Sequence, residues 1–358
     1  MKEESEFPSP LIERPITFNY GYRMRCPTGH LTLITAEQFD ASADTPCGTC
    51  GETLALSAEN IVVRDPDDPA LAPEGISSLV WYHTSTHANW PPPDYAESIA
   101  IFLAPSRAVL PPEVFADMLQ REQTKALHVG TYESTIENMF RRRQFQDDTE
   151  SQFYLYRVML NLSADEIDPE IRHESHDEAS QLTLDDLGKW KAVRYVNVEE
   201  SPGSISLAIN PNAIAAVQMI PLPAISLGPS TEPEIVRLAE QLDDELRDIG
   251  AQLDQLPEHD FTTSVLLRRA NDEQALRREV LSSRRYEIWQ QFRSELVKTY
   301  LPGVNPSVQE NFIDVLGINW DESLAFFHDR FRAEAAVIIN GQRIVDALAG
   351  QPWLPRHP

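Results

Sequence analysis

Three cysteines and one histidine, crowded into 25 residues near the start of the chain, constrain its folding more than any other feature. The stretch reads Arg25-Cys26-Pro27-Thr28-Gly29-His30, then sixteen intervening residues, then Cys47-Gly48-Thr49-Cys50-Gly51. The remainder of the 358 residues contains no cysteine. An odd number of clustered thiols cannot all pair as disulfides, so the cluster points to a metal. Zinc takes four thiolate or imidazole ligands in a tetrahedron, and two short turns can supply two each. Glycines at 29, 48 and 51 suit such turns, because backbone N–H groups aimed at a thiolate require positive φ. The competing reading is three free cysteines.

The two half-sites resemble those of zinc ribbons, whose first half reads Cys-Pro-x-Gly-His and whose second reads Cys-x-x-Cys-Gly. Between them, His30-Leu-Thr-Leu-Ile-Thr has the β-branched alternation of a strand. The resemblance implies a structural zinc ion held by Cys26, His30, Cys47 and Cys50. All four positions are then filled by protein, which leaves no open site for catalysis. The metal would fold a module over 19–62 too small to hold itself together.

The rest of the chain divides by composition. Asp65-Pro-Asp-Asp-Pro and Ala72-Pro73-Glu-Gly75 read as a linker. Strand-like runs at 78–82, 125–129, 153–160, 192–196, 204–209 and 213–220, with helices at 112–123 and 132–143, predict a mixed α/β domain over 76–225. From about residue 232 the pattern changes. Ile235, Leu242, Ile249 and Leu256 recur every seven residues, with Leu238, Leu246 and Leu253 between them, an apolar helical stripe at coiled-coil-like spacing. Further helical stretches at 262–299, 306–315 and 321–348 predict an all-α bundle over 230–350. The stripe reads as bundle core, with oligomerisation through these helices as the other use. The fold class expected is therefore α+β: ribbon, α/β domain, helical bundle.

Thirty basic residues against 56 acidic ones give a net charge of −26. Such a body repels nucleic-acid phosphates and anionic lipid unless a local patch reverses the field. The one basic run, Arg141-Arg142-Arg143, is followed almost at once by Asp147, Asp148 and Glu150. Nucleic acid is therefore disfavoured as a partner, and the acidity reads as solubility or, more sharply, as mimicry of DNA. No apolar run is long enough for a bilayer, and the first residues lack the basic-then-apolar order of a secretory signal. The expectation is a cytoplasmic protein.

Three stretches of the middle segment end in small hydroxyl or glycine residues beside polar groups: Trp81-Tyr82-His83-Thr84-Ser85-Thr86, Leu127-His128-Val129-Gly130-Thr131, and Tyr195-Val-Asn197-Val-Glu-Glu200-Ser-Pro-Gly203-Ser204. Strand ends of this kind present side chains and free backbone N–H groups to ligands. The first resembles the opening motif of ADP-ribosyltransferases, a strand ending Tyr-His-Gly-Thr, with Thr84 at the glycine position and Ser85 or Thr86 supplying the hydroxyl. The resemblance implies NAD as substrate, with His83 as the ribose anchor and Thr84 and Ser85 near the nicotinamide amide. It implies a glutamate on the same ribose, for which Glu200 fits by placement and Glu199 is the fallback. It also implies an aromatic residue stacked on nicotinamide, for which Tyr132 is the candidate. The reaction would move ADP-ribose to a macromolecular acceptor, or to water. A carboxylate placed beside the ribose stabilises the positive charge that builds as nicotinamide leaves. No Gly-x-Gly-x-x-Gly occurs, so any NAD site is not of the Rossmann kind.

Blander accounts exist for each residue. His87 reads as a loop histidine, His128 as a hydrogen-bonded core histidine, Glu199 and Glu200 as a chance pair in an acidic chain, and Arg141–Arg143 as a solvated helix end or a pyrophosphate contact. The alternative function is a non-catalytic acidic interaction or regulatory protein, of phage or host-defence type, that engages a protein partner and carries a zinc-stabilised module.

Overall fold

The structure is a computed structural model, and it describes residues 11–41, 45–92, 95–145, 152–224, 232–256 and 265–356. The chain is mixed α/β and forms two compact units. The first comprises residues 1–224, 304–311 and 340–358, the second 225–303 and 312–339.

In the first unit, β1 (Tyr22–Arg25) and β2 (Leu31–Ile34) form an antiparallel hairpin, followed by the short helix α1 (Ala36–Asp40). Next come β3 (Trp81–Ser85), α2 (Tyr95–Leu103), α3 (Pro112–Gln123), β4 (Leu127–Val129) and α4 (Tyr132–Phe145). The succeeding elements are β5 (Tyr154–Leu160), β6 (Ile167–His173), α5 (Glu174–Asp177), β7 (Ala192–Val196), β8 (Ile205–Ile209) and β9 (Ile214–Pro221). After α6 (Pro233–Asp254), α7 (Val265–Tyr300), α8 (Pro306–Leu316) and α9 (Leu324–Ile339), the chain ends in α10 (Gly341–Ala349) and β10 (Leu354–Pro355).

The described residues build two four-stranded sheets, ordered β10-β9-β5-β3 and β4-β8-β7-β6. All pairs are antiparallel except β6 with β7. β7 and β8 are buried on both faces, which is why they read as continuous apolar runs. The sheets meet edge to edge at a single bridge. Tyr82 N–H donates to Gly130 O, and Gly130 N–H donates to Tyr82 O, both at 3.0 Å. Past this bridge β3 and β4 part company, and helix α4 starts in the gap. Thr131 Oγ1 accepts from Ser134 N–H at 3.1 Å and so caps the first turn.

The expected strands fall within a few residues of those observed, and the helix over 112–123 is matched at both ends. Two parts differ. The two Pro-rich runs read as a linker are themselves largely exposed, but the residues that adjoin them, Ala70 and Ile76, have no exposed surface and anchor the stretch. The buried guanidinium of Arg194 donates to Leu71 O, to Asp168 O (3.1 Å) and to Pro169 O (2.7 Å), which fastens the stretch to β6. Prolines there set short 3-10 turns, because a fixed φ suits a turn as well as a free chain. Strand β6, Ile167–His173, was not expected, since its sequence IDPEIRH is broken by Pro169 and charges. It survives at the sheet margin, where an unpaired proline nitrogen costs no ladder bond.

One apolar core runs from the hairpin to the sheets, with Met24, Cys26, Ile34, Cys47 and Ile61 in the same buried cluster as Trp81, Tyr156, Val158 and Leu207. In the second unit, the heptad stripe of α6 turns inward. Ile235, Leu242 and Ile249 are buried, against α7 and α9, and Trp289 of α7 meets Phe327 of α9 edge-on at 5.2 Å. Among the described residues, no helix is long and apolar enough to cross a membrane.

The seam has no room for a side chain at Gly130, where a Cβ would stand 2.3 Å from Ser134 Oγ and 2.9 Å from Ser206 Oγ. Gly130→Ala is expected to destabilise the chain by about 1–3 kcal/mol, read as a lowered denaturant midpoint at unchanged m value.

Candidate functional sites

The four side chains expected as metal ligands converge. The ligand atoms of Cys26, His30, Cys47 and Cys50 all lie within 4.8 Å of one another, carried by the turn after β1 and the turn at 47–50. Cys26 Sγ is 3.8 Å from Cys50 Sγ and 3.6 Å from His30 Nδ1. A tetrahedral zinc with ordinary bond lengths would place two sulfurs about 3.8 Å apart, and a sulfur and an imidazole nitrogen about 3.6 Å apart. The donor set therefore fits a metal ion such as zinc. Gly29 and Gly51, at φ +89° and +74°, provide the tight turns.

Around the sulfurs stand the hydrogen bonds a thiolate needs. His30 N–H donates to Cys26 Sγ at 3.2 Å, and Thr32 Oγ1 donates to Cys47 Sγ at 3.3 Å. The Thr28 hydroxyl lies 3.0 Å from Cys26 Sγ and 3.2 Å from Cys50 Sγ. Burial pushes the Cys26 thiol up, but the bonds from Thr28 and His30 outweigh it and bring it down to about 6. Cys47 is likewise lowered, chiefly by the Thr32 hydroxyl and then by N–H groups of the 47–50 turn. Both favour the thiolate, the form that binds metal.

A second site forms where the two sheets part. A small cavity of about 70 Å³ is lined by His83 and Thr84 of β3, His128 of β4, Asn138 of α4, and Asn197 and Glu200 of the loop between β7 and β8. Three stretches distant in sequence thus meet at one point, bringing His83, Thr84 and Glu200 together. Ser85 and Tyr132 are not in its wall. Ser85 Oγ accepts from His87 N–H at 3.1 Å. Tyr132 is buried edge-on to Tyr82 at 5.6 Å and Phe18 at 6.2 Å, because the first turn of α4 points its aromatic ring into the core.

His83 is fixed on two sides. Its Nδ1 sits 2.8 Å from His128 O, a carbonyl that can only accept, so Nδ1 carries the proton and Nε2 keeps its lone pair. The ring stacks on Trp90 at 3.9 Å and 17°. Burial, reinforced by Arg142, lowers His83 to about 3, so it is neutral at pH 7 and Nε2 can only accept. His128, also lowered to about 3 by burial, has Nδ1 3.1 Å from Tyr195 Oη, while its Nε2 is buried without a partner.

Glu200 is held by its own loop. Asn197 Oδ1 accepts from Glu200 N–H at 2.8 Å and Glu199 N–H at 3.1 Å, and its Nδ2 donates to Glu200 Oε2 at 3.3 Å and Ser206 Oγ at 3.2 Å. Left-handed φ at Ser201 and Gly203 lets the loop reverse. Arg64, next to the proline-rich stretch, grips it through Pro202 O and Ser201 Oγ, each at 3.2 Å. From α4, Asn138 Nδ2 donates to Glu200 Oε1 at 2.9 Å, and Arg141 pairs with the same oxygen at 2.6 Å. Glu199 does not line the cavity.

Asn138 is a wall residue that the sequence does not point to. For the basic run, expected as a solvated helix end or a pyrophosphate contact, Arg141 turns to Glu200 and Arg142 Nη1 donates to Thr84 O at 3.3 Å. The signal available was the i, i+3 spacing of Asn138 and Arg141, which places both on one helix face. Two further buried acids border the site. Glu137, which accepts from Tyr20 Oη and Ser201 N–H at 2.7 Å each, is pushed up to about 8 by burial. Glu174, which accepts from Val198 N–H at 2.7 Å, is pushed up to about 7 for the same reason.

No family model, curated protein or solved structure matches the chain.

Two outcomes are expected. Purified protein should carry about one zinc per chain by elemental analysis; Cys47→Ser should lose it, and chelation of the wild type should lower Tm. Glu137 keeps its proton in the folded chain at pH values where the unfolded chain, with an ordinary value of 4.5, has released it. Stability should therefore fall as pH rises from about 4.5 to about 8. Glu137→Gln should flatten that slope in denaturant unfolding followed across the window.

Proposed function

We propose that the α/β part is an ADP-ribosyltransferase-like enzyme that cleaves the nicotinamide–ribose bond of NAD and delivers ADP-ribose to a macromolecular acceptor or to water. The observation that carries this reading is the meeting of His83, Thr84 and Glu200 in the wall of one cavity, from a strand and a loop whose His83 and Glu200 are 117 residues apart in the chain. His83 Nε2 can accept a hydrogen bond from a ribose hydroxyl, and the His128 carbonyl and Trp90 ring keep the imidazole in that orientation. Glu200, aimed by Asn197, supplies the negative charge that favours departure of nicotinamide. Tyr132 drops out of the proposed roles because its ring packs in the core.

The cavity of about 70 Å³ holds a fragment of a ring and not a dinucleotide, so in this reading the site opens to admit NAD. Arg141 would also release Glu200, whose side chain is only 6% exposed, and part of the binding energy of NAD would offset the loss of that pair. In this reading the Cys26–His30–Cys47–Cys50 cluster is a structural zinc ribbon-like element, and the α6–α9 helices serve recognition or assembly.

A second reading, a non-catalytic acidic partner of a basic protein, draws on the net charge of −26 and on a Glu200 already satisfied by Arg141, Asn138 and Asn197. Incubation with nicotinamide-labelled NAD separates the two. Release of label by the wild type, reduced about 100-fold or more by Glu200→Gln and strongly by His83→Ala, is the expected result. A wild type that releases none in the presence of several candidate acceptors would sink the enzymatic reading. Salt-sensitive partner capture that survives both substitutions would then favour the second.

A further inference from the structure

Outside the His83–Glu200 cavity and sharing no residue with it, the first unit contains a larger cleft of about 470 Å³. Its wall is apolar over Leu127, Leu184, Ile214 and Pro92, and its charged members are Lys125 and Arg356. β-strand alternation explains the separation of the two sites: Leu127 and His128 are neighbours on β4 and face opposite sides. A volume of this order is that of small-molecule clefts in general.

The charge of the cleft opposes that of the chain. With 56 acidic residues against 30 basic ones, a chance cleft should be lined by carboxylates, yet the described wall has two cations and no acid. Nor are the cations neutralised elsewhere by ion pairs among the described residues. Lys125 Nζ donates to the neutral amide of Gln181 at 3.3 Å. Arg356 donates from Nη1 to Asn89 Oδ1 at 2.6 Å and from Nη2 to Trp90 O at 2.8 Å. Its Nε is buried with no partner, a donor whose desolvation nothing in the protein offsets. Burial lowers the Arg356 pKa, with no carboxylate opposing it. The backbone of Arg356 is pinned beside β9, since its N–H donates to Ala215 O at 2.9 Å, while Asn89 and the Trp90 carbonyl hold its guanidinium.

We propose that this cleft is a binding site for a small organic anion, an apolar body bearing one carboxylate or phosphate group. The body lies on Leu127, Leu184 and Ile214, and the anionic group is held between Arg356 and Lys125. The site is independent of the proposed NAD chemistry and stands or falls separately from it.

The test is isothermal titration of the full chain with 2-naphthoate and with phenyl phosphate, alongside the neutral 2-naphthalenemethanol. The expected result is one site per chain for at least one anion, with the neutral compound at least about tenfold weaker. Affinity should fall with added salt, and Lys125→Gln and Arg356→Gln should each weaken it roughly fivefold or more. Because Arg356 also fastens Asn89 and Trp90, circular dichroism and Tm accompany its variant. Should that variant misfold, Lys125→Gln and the cleft-filling Leu184→Trp carry the test. No heat from either anion at millimolar concentration overturns the proposal, as does binding that Lys125→Gln and Leu184→Trp leave unchanged.

Discussion

The pair of backbone hydrogen bonds between Tyr82 and Gly130 is the joint on which the first unit depends. It stitches the edge of one four-stranded sheet to the edge of the other, and directly beyond it the strands diverge. The divergence lets α4 start between them and leaves a gap lined from both sides by polar strand-end residues. Gly130 allows the joint, since a Cβ would collide with the Ser134 and Ser206 hydroxyls. Thr84 Oγ1 donating to Thr135 O at 3.2 Å then ties β3 to α4 on the near side. The candidate site is thus a consequence of how two sheets are joined.

Around that gap the electrostatics divide into two regimes. On the β3–β4 side the histidines are neutral because burial disfavours their charge. On the α4 and β7–β8 side, carboxylates crowd together, and the crowding is relieved unequally. Glu200 keeps company with Arg141, whereas Glu137 and Glu174, buried and near Glu200, are pushed toward protonation. Burial thus favours the protonated form of Glu137 and Glu174, whereas Glu200 meets a guanidinium.

Much of the fold was legible in local pattern. Strands β5, β7, β8 and β9 stood out as apolar runs, and the seven-residue stripe of α6 foretold both the helix and its buried face. The metal cluster was legible as well, since Cys-x-x-Cys and a knuckle with His30 four residues after Cys26 leave few other uses for those side chains. What local pattern misread were segments whose partners lie far away in sequence. The Asp65–Gly75 stretch has the composition of a linker, yet Arg194 fastens it to the sheet. Arg141 resembles a solvated helix end, yet its partner Glu200 lies 59 residues on. Tyr132 was placed at a ligand by motif, whereas helix geometry turned its ring into the core.

The candidate metal ligands Cys26, His30, Cys47 and Cys50 were legible from the sequence alone, because each pair sits in a short turn whose local backbone geometry brings its two donors together. The sequence also determined which residues a resemblance would nominate, His83 and Glu200 among them. Tertiary contacts alone make these two share a wall, let Asn138 and Arg141 hold Glu200, and put Lys125 and Arg356 in one cleft with no acid among its described residues. The physical reason is range. A turn fixes neighbours within a few residues, but the meeting of β3, α4 and the β7–β8 loop is set by sheet pairing and burial, which no local window records.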